Sequence, residues 1–389
     1  MAWEKVKIKE IWKGFYDGPH ATPPVSDCGG IFLGISNITP NGHIDLSDIK
    51  YISEQDLPKW TKRVVPQGGD IVFSYEATLN LYAIIPENFY GCLGRRMALI
   101  RVDENKISNK FLYYYFFSDE WRATIAENTI VGATVDRIPI AKFPEFPISL
   151  PPLKEQKRIA DILSAYDNLI ENNQKQIKLL EEAAQRLYKQ WFIDLRYPGH
   201  ETTKIVDGIP EGWHYGSITE ISTCYDCKRK PLSSKERDQQ EKIYPYYGAA
   251  SLMDYVEKFI FEGVYLLFGE DGTVITSDET PMLQYIWGKF WVNNHAHIFQ
   301  GANGYSTEFL YMLCKHMKIK DIVTGVAQPK VSQGRLNDKK IVIPSRTMVA
   351  KYSELTQSFF KQIRLLSDAI NASKEARDRL LPKLMNNEI

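Results

Sequence analysis

The sequence predicts a mixed α/β protein built as two copies of one module, in which each copy is a globular part followed by a long helix. Three observations lead to this prediction: an internal repeat of about half the chain, a heptad pattern after each globular part, and short apolar runs within those parts. The expected fold class is therefore α+β, with two pseudo-repeated globular domains separated by two long antiparallel coiled-coil helices.

The internal repeat appears when the sequence is shifted by 193 residues, which aligns two long segments without a gap. Matched pairs include Gly132 with Gly325, Ile148 with Ile341, Pro151 with Pro344, Ile170 with Ile363, Glu182 with Glu375 and Leu187 with Leu380. Upstream the offset drifts by a few residues, as loop insertions would cause. The sequence therefore predicts globular domains at 1–150 and 198–346 and helical segments at 151–197 and 347–389.

The helical segments carry apolar residues spaced alternately four and three apart, which is the pattern of a coiled-coil seam. The first seam comprises Ile159, Leu163, Tyr166, Ile170, Asn173, Ile177, Leu180, Ala184, Leu187 and Trp191. The second comprises Tyr352, Thr356, Phe359, Ile363, Leu366, Ile370, Ser373, Arg377, Leu380 and Leu384. Prolines precede both helices, where proline is tolerated.

The 44 residues from Leu153 to Arg196 would form a rod of about 66 Å, ended by Tyr197-Pro198-Gly199. A rod with one apolar stripe is unstable alone in water, so the two helices are expected to pair with each other in antiparallel orientation. The alternative is two unrelated surface helices, each packed on its own globular part.

Within the globular parts, short apolar runs bounded by Gly, Pro and Asn predict strands, and longer runs predict helices packed on them. The predicted strands are Asp70 to Ser74, Tyr82 to Pro86 and Arg96 to Val102. The predicted helices are Asn109 to Phe117 and Ser306 to His316.

Composition excludes several classes of protein. With 44% hydrophobic and 25% charged residues the chain is not mainly disordered. The densest apolar stretch, Val264 to Phe268, is far shorter than the roughly 20 residues of a membrane helix. The charged N-terminus and five scattered cysteines predict a cytoplasmic protein. The net charge of zero argues against a uniformly basic surface but allows basic groups gathered on one face of the protein.

No catalytic signature is present: the chain has no Walker loop, no GxGxxG after a strand and no GxSxG elbow. Cys224 and Cys227 form a lone CxxC pair, which His295 and His297 could in principle complete as a zinc site. A structural role is favoured for these four residues, because no second cysteine pair stands at zinc-finger spacing. No catalytic residue and no metal site are therefore predicted.

Polar, basic and aromatic loops recur at matching places in the two copies. Arg, Lys, Asn and Gln can pair with base edges, while aromatic and hydroxyl groups reach sugars and phosphates, so these loops are candidate DNA contacts. An ordinary solvated loop remains the alternative for each residue taken alone. The candidates are Lys62, Arg63, Tyr75, Thr78, Asn80, Arg95, Arg96 and Arg137 in the first copy, and Lys228, Arg229, Lys230, Tyr246, Tyr247, Thr273, Asn293, Asn294, His295, Gln328 and Lys330 in the second.

These residues resemble those of a known family, the specificity subunits of type I restriction-modification enzymes. The resemblance covers essentially the whole chain and is carried by motifs that are specific in combination. The strongest stretches are residues 69–78 (GDIVFSYEAT), 96–101 (RMALIR), 150–160 (LPPLKEQKRIA), 283–285 (LQY), 288–297 (GKFWVNNHAH) and 327–331 (AQPKV).

The resemblance implies two target recognition domains held apart by an antiparallel pair of helices, each domain reading one half of a split site in double-stranded DNA. It implies no catalysis and no cofactor on this chain. Two methylation subunits would transfer a methyl group from S-adenosylmethionine to adenine N6, and restriction subunits would use ATP and Mg. One departure is the second helix, whose seam carries Thr356, Ser373 and Arg377, so the rod is expected to be less stable without the methylation subunits.

Two competing functions follow from the same sequence. A fused restriction-methylation enzyme would need an Asn/Asp-Pro-Pro-aromatic tetrapeptide, and neither Pro23-Pro24 nor Pro151-Pro152 has those neighbours. A coiled-coil protein-interaction scaffold without DNA recognition is the second alternative. DNA binding in the presence of the partner subunits would separate it from the leading interpretation.

Overall fold

Each globular part of the chain folds together with its share of the two long helices. The structure, a computed structural model, describes residues 3–132, 134–325 and 327–389. Unit one comprises Met1–Asn172 and Ile370–Ile389, and unit two comprises Asn173–Ala369. Helices and strands occur in both units, so the mixed α/β prediction is confirmed.

The described residues of unit one form nine strands in three small sheets. The strands are β1 Glu4–Lys7, β2 Trp12–Asp17, β3 Gly30–Leu33, β4 Lys50–Ile52, β5 Ile71–Ser74, β6 Tyr82–Ile84, β7 Gly91–Leu93, β8 Met97–Val102 and β9 Pro147–Leu150. A four-stranded sheet has the order β2-β8-β5-β6, a three-stranded sheet has the order β4-β3-β7, and β1 pairs with β9. The three strands predicted from the sequence correspond to β5, β6 and β8.

The described residues of this unit also form three short α-helices and the first part of a long one. They are α1 Leu57–Trp60, α2 Asn109–Tyr115, α3 Asp119–Asn128 and α4 Leu153–Tyr188. Ser108 and Ser118 cap α2 and α3 by accepting hydrogen bonds from the third amide of each helix. The core between helices and sheet is aromatic, and the buried Trp121 indole donates a hydrogen bond to the Tyr82 hydroxyl at 2.8 Å.

Unit two is built on a six-stranded sheet with the order β13-β18-β16-β17-β14-β15. Its strands are β10 Ile205–Val206, β11 Ile209–Pro210, β12 His214–Gly216, β13 Ser222–Cys224, β14 Tyr244–Tyr247, β15 Leu252–Val256, β16 Phe261–Gly269, β17 Leu283–Val292, β18 Ala296–Gly301 and β19 Ile341–Ile343. Its helices are α5 Ser234–Asp238, α6 Thr307–His316, α7 Gln333–Asp338 and α8 Arg346–Met385. Helix α6 matches the predicted helix, with Ser306 as its capping residue.

The long helices α4 and α8 pack on each other in antiparallel orientation, as predicted. In unit one Leu163, near the start of α4, shares a core with Leu384, near the end of α8. In unit two Ala184, near the end of α4, accepts a hydrogen bond from Tyr352, near the start of α8, at 3.1 Å. The described seam positions of both helices are buried or half-buried, so the heptad pattern identified the faces that pair.

The polar seam residues have internal partners. Buried Thr356 donates its hydroxyl to the Tyr352 carbonyl at 3.0 Å, as Thr commonly does inside a helix. Arg377 pairs with Asp167 at 2.6 Å, and the Tyr114 hydroxyl donates to the same carboxylate. The Thr356 hydrogen bond therefore lies within α8, whereas Arg377 and Asp167 link α8 to α4 and to the globular part of unit one.

The first helix is shorter than predicted. Its α-helical part ends at Tyr188, which gives 36 residues and about 54 Å, and a π-helical turn Lys189–Ile193 follows. The consecutive residues Trp191 and Phe192 of this turn are both buried in the core. Among the described residues, no helix combines the length and apolar content needed to cross a membrane.

Candidate nucleic-acid interface

In unit one the loop that follows strand β5 is held by backbone hydrogen bonds on two sides. The Tyr75 amide donates to the Arg96 carbonyl at 3.1 Å, and the Ile138 amide donates to the Tyr75 carbonyl at 2.7 Å. The Ala77 amide donates to the Asp136 carbonyl at 3.0 Å. Ala77 has a φ of 71°, in the left-handed region. The loop is therefore fixed between the start of β8 and the segment 130–138.

Unit two repeats this arrangement after strand β16. The Glu270 amide donates to the His295 carbonyl at 2.8 Å, and the Val331 amide donates to the Glu270 carbonyl at 2.9 Å. The Gly272 amide donates to the Pro329 carbonyl at 3.0 Å, and Gly272 also has a positive φ of 88°. We call this shared arrangement the strand-end frame: residues 75–77 or 270–272 with the backbone groups that hold them.

A second element of the frame is a pair of residues that exchange two backbone hydrogen bonds. Ile130 and Arg137 do so in unit one, at 2.9 and 3.1 Å. Thr324 and Lys330 do so in unit two, at 2.8 and 2.7 Å. Arg137 and Lys330, which the sequence alignment had matched, therefore occupy equivalent places, and both are exposed.

Charged side chains surround the frame of unit one. Arg96, with a φ of 71°, pairs with Glu76 at 3.1 Å. Arg63 pairs with Asp17 at 2.5 Å, and His20 lies 3.0 Å from the same carboxylate. The His20 ring also lies 3.5 Å from the hydroxyl of Tyr75. Arg63, Tyr75 and Arg96 therefore meet at one strand end although 33 residues separate the first from the last.

The frame of unit two contains a largely buried ion network. His297 Nδ1 lies 2.5 Å from Asp226, and its Nε2 lies 2.9 Å from the Val331 carbonyl. Arg229 contacts Asp226 at 3.2 Å and Glu270 at 2.5 Å. Burial alone would raise the pKa of the Asp226 carboxyl, but His297, a backbone amide and Arg229 together hold that pKa below its ordinary value. The network therefore ties the strand-end loop to β18 and to the segment after β13.

Donor atoms of Asp226, Glu270 and His297 lie within 4.8 Å of one another, a spacing that could hold a metal ion. The Arg229 guanidinium already contacts both carboxylates, and the Lys330 ammonium lies 3.7 Å from Glu270. Two cations thus balance the two carboxylates, so we interpret this group as an ion-pair network. Cys224 instead accepts a hydrogen bond from Gln333.

Exposed polar groups border this network. Gln328 donates to Asp271 at 2.9 Å, and His295 Nδ1 lies 3.6 Å from the same residue. Thr273 and Asn294 are exposed on either side of them. These side chains form an exposed polar surface next to the largely buried ion network.

The structure brings most candidate residues to the two frames. Those at or beside the frame of unit one are Arg63, Tyr75, Thr78, Asn80, Arg95, Arg96 and Arg137. Those at or beside the frame of unit two are Arg229, Thr273, Asn293, Asn294, His295, Gln328 and Lys330. Three further candidates are exposed and adjacent in sequence to Arg63 or Arg229: Lys62, Lys228 and Lys230. The Lys228 ammonium lies 5.0 Å from the centre of the Tyr225 ring.

Several candidates are supports rather than surface groups. Tyr246 is buried and its hydroxyl accepts from the Leu232 amide at 3.0 Å. Asn293 is buried and accepts from the His295 amide at 2.8 Å, while half-buried Tyr247 packs in the core beside it. Arg229 forms ion pairs with Asp226 and Glu270 inside the ion network. Their burial commits these side chains to positioning the neighbouring loops.

Sequence reasoning missed Asp17, His20 and Asp226, and it treated His297 as a possible metal ligand. Asp226 lies within the Cys224–Cys227 pair, and His297 follows His295 by two residues. Their closeness to these candidate metal ligands was a signal that could have selected them as site residues. Asp17 and His20 lie in an N-terminal stretch that has no matched segment in the second copy. The sequence contains no signal that would have selected them.

Comparison with known proteins identifies the family. Residues 2–182 and 210–372 match the sequence profile of the type I restriction modification DNA specificity domain. The chain therefore belongs to the specificity-subunit family of type I restriction-modification enzymes.

Individual relatives cover nearly the whole chain. The type I restriction enzyme MjaIX specificity subunit of Methanocaldococcus jannaschii is 24% identical, over 100% of this chain and 93% of that one. The HindI specificity subunit of Haemophilus influenzae is 22% identical, over 92% and 94%. The fold is similar to the crystal structure of the type I restriction-modification S subunit from M. genitalium, with a TM-score of 0.60, 19% identity and coverage of 98% and 96%.

Proposed function

We propose that this chain is a non-catalytic DNA-reading subunit in which each strand-end frame contacts one half of a split site in double-stranded DNA. The observation that carries the proposal is the recurrence of one backbone frame in both units with different side chains mounted on it. A shared backbone would approach DNA in the same way in each unit, while different side chains would read different base pairs.

The candidate residues divide into three roles under this proposal. Exposed cations would contact phosphates, which set affinity and its salt dependence. Exposed or half-buried residues that carry hydrogen-bond donors or acceptors would reach base edges. The phosphate group comprises Lys62, Arg63, Arg95, Arg137, Lys228, Lys230 and Lys330, the base-edge group Thr78, Asn80, Arg96, Thr273, Asn294, His295 and Gln328, and the supporting group Tyr75, Arg229, Tyr246, Tyr247 and Asn293.

The proposal assigns the chemistry to partners. Two methylation subunits would bind this chain and methylate adenine N6 with S-adenosylmethionine, and restriction subunits would bring ATP-dependent cleavage with Mg. This chain would recognise the DNA sequence and would orient its partner subunits on it. Light scattering on the saturated complex is expected to give two methylation subunits per chain, and a saturated one-to-one complex would contradict that stoichiometry.

Methylome sequencing of a host that carries this chain with its methylation subunits tests the proposal. The expected result is a split motif with modified adenines on both strands. Replacement of residues 1–150 by those of a relative should change one half of the motif and leave the other intact. If both halves change, the units do not read DNA independently. If no DNA is bound by the complex, the chain is a coiled-coil scaffold instead.

A further inference from the structure

The hairpin between β14 and β15 of unit two lies directly beside the strand-end frame. The Asn293 amide donates to the Tyr247 carbonyl at 3.0 Å, and Gln284 donates to the Gly248 carbonyl at 2.8 Å. A Cβ built on Gly269, the last residue of β16, would lie 3.4 Å from the carbonyl oxygen of Ala249 at the hairpin tip. The hairpin is therefore held against the end of the strand that carries the frame.

A β-bulge re-aims one side chain of this hairpin. Tyr246 pairs with Asp254 and Tyr247 pairs with Leu252, so Met253 is an extra residue on β15. Its sulfur accepts from the Asn293 side-chain amide at 3.3 Å. The bulge thus turns Met253 toward the Asn293–His295 segment of the frame.

The bulge also leaves two consecutive apolar side chains in solvent. Leu252 is 42% exposed and Met253 is 53% exposed, next to the exposed polar surface described above. Gly248 permits this arrangement, because a Cβ there would meet the Met253 sulfur at 2.4 Å and its Cγ at 2.8 Å. Methyl and thioether groups in a polar DNA-facing surface suit one feature of the major groove, the C5 methyl of thymine.

The matched place in unit one is different. The Gly94 amide donates to the Leu33 carbonyl at 2.7 Å, as the Asn293 amide does to Tyr247. The chain then enters a tight turn in which buried Asn37 accepts from the Gly34 amide and donates to the Asp45 carbonyl. This place is occupied by a closed polar turn, so the apolar hairpin distinguishes the two units at an equivalent position.

We propose that Leu252 and Met253 form an apolar contact with a thymine methyl group in the half-site read by unit two. This inference rests on the proposed function and adds the base chemistry of that half. It requires at least one T·A pair in the half-motif that changes when residues 198–346 are exchanged.

Deoxyuridine provides the test, because it lacks the methyl group of thymine and keeps its base-pairing groups. The full complex with methylation subunits is titrated with duplexes in which each thymine of that half is replaced in turn. At one position the substitution should weaken binding about fourfold, the worth of one buried methyl-sized group. The variants Leu252→Asn and Met253→Gln should bind thymine and deoxyuridine duplexes equally.

The control variant is Tyr255→Gln, an exposed residue further along β15, which should keep the parent's response to deoxyuridine. None of these changes alters charge, so the salt dependence of binding should be the same in all of them.

Equal parental affinity for every deoxyuridine duplex, or a half-motif without T·A, would overturn the inference while leaving the proposed function intact. A complex that binds no DNA would overturn the proposed function itself. If the two variants change the assembly state in light scattering and keep the deoxyuridine response, the exposed pair is a protein contact instead.

Discussion

The ion network of unit two makes a strong prediction for the substitution Arg229→Ala. Arg229, Asp226 and Glu270 have side chains that are 15%, 8% and 14% exposed, so solvent screens them little. Removal of the guanidinium leaves two nearly buried carboxylates with one imidazole and the more distant ammonium of Lys330. Breaking a buried ion pair from one side costs about 3–5 kcal/mol. That cost falls on the segment that holds the strand-end frame.

Native-state hydrogen exchange measures this cost locally. The Ile298 amide donates to Asp226 and the Val331 amide donates to Glu270, so both report on the network. A loss of about 3 kcal/mol corresponds to exchange at least about a hundredfold faster, up to the limit set by global unfolding. The matched control is Lys228→Ala, which removes an exposed neighbouring cation and should change exchange at these amides by less than about fivefold.

The reasoning is refuted if Arg229→Ala exchanges like the parent chain. In that case the guanidinium would be free to contact DNA, and the variant would instead lose affinity and salt dependence without losing stability. The control variant has the reverse expectation: Lys228→Ala should lower the salt dependence of DNA binding by about one phosphate contact.

Three further predictions concern single side chains. Gly272→Ala should destabilise unit two by about 1–2 kcal/mol through backbone strain alone, since no atom lies within 4 Å of the new Cβ. Ala77→Gly at the equivalent position should not destabilise unit one. The urea concentrations at the unfolding midpoints of the two variants, compared with that of the parent chain, measure these effects. The lowered pKa of Asp226 gives stability that is complete above its ordinary value of 3.8 and is lost as pH falls through the folded value. Exchange at the Ile298 amide should therefore accelerate below about pH 4, and Asp226→Asn should abolish that pH dependence. Asp167→Ala should cost about 2–3 kcal/mol, because Arg377 keeps only its exposed partner Asp378 and the Tyr114 hydroxyl loses its acceptor. Loss of the exposed partner in Asp378→Ala should cost under about 1 kcal/mol in thermal unfolding.

The part of the fold that the sequence predicted best is the helix pair, because the spacing of its apolar residues is regular. The spacing from Ile159 to Leu187 identified the face of α4 that pairs with α8, because one apolar stripe admits one buried face. It could not predict the end of that helix, because Trp191 continues the heptad spacing although the backbone has already widened into a π turn. Trp191 and Phe192 of this turn pack on Tyr352 of α8, a long-range contact that the local spacing does not encode.

The candidate site was predictable to the extent that it repeats. Arg137 and Lys330 were matched by alignment, and the structure gives them the same backbone partners. The burial of Tyr246 and Asn293 was not predictable, because the residue type of an aromatic or amide side chain does not show whether it packs beneath a loop or faces solvent. His20, which pairs with Asp17, reaches the Tyr75 hydroxyl through a long-range contact that no local pattern encodes.

The strand-end frame has a consequence for how such a chain can change over generations. The frame is made by backbone amides and carbonyls, so Tyr75 and Glu270, or Arg96 and His295, occupy equivalent places with unrelated side chains. Exposed positions such as Arg137 and Lys330 can therefore mutate without loss of the fold, and selection is free to act on what they contact. Unit two is more constrained, because Asp226, Arg229 and His297 would have to change together. New specificities should arise more readily by point mutation in unit one than in the networked half of the frame in unit two.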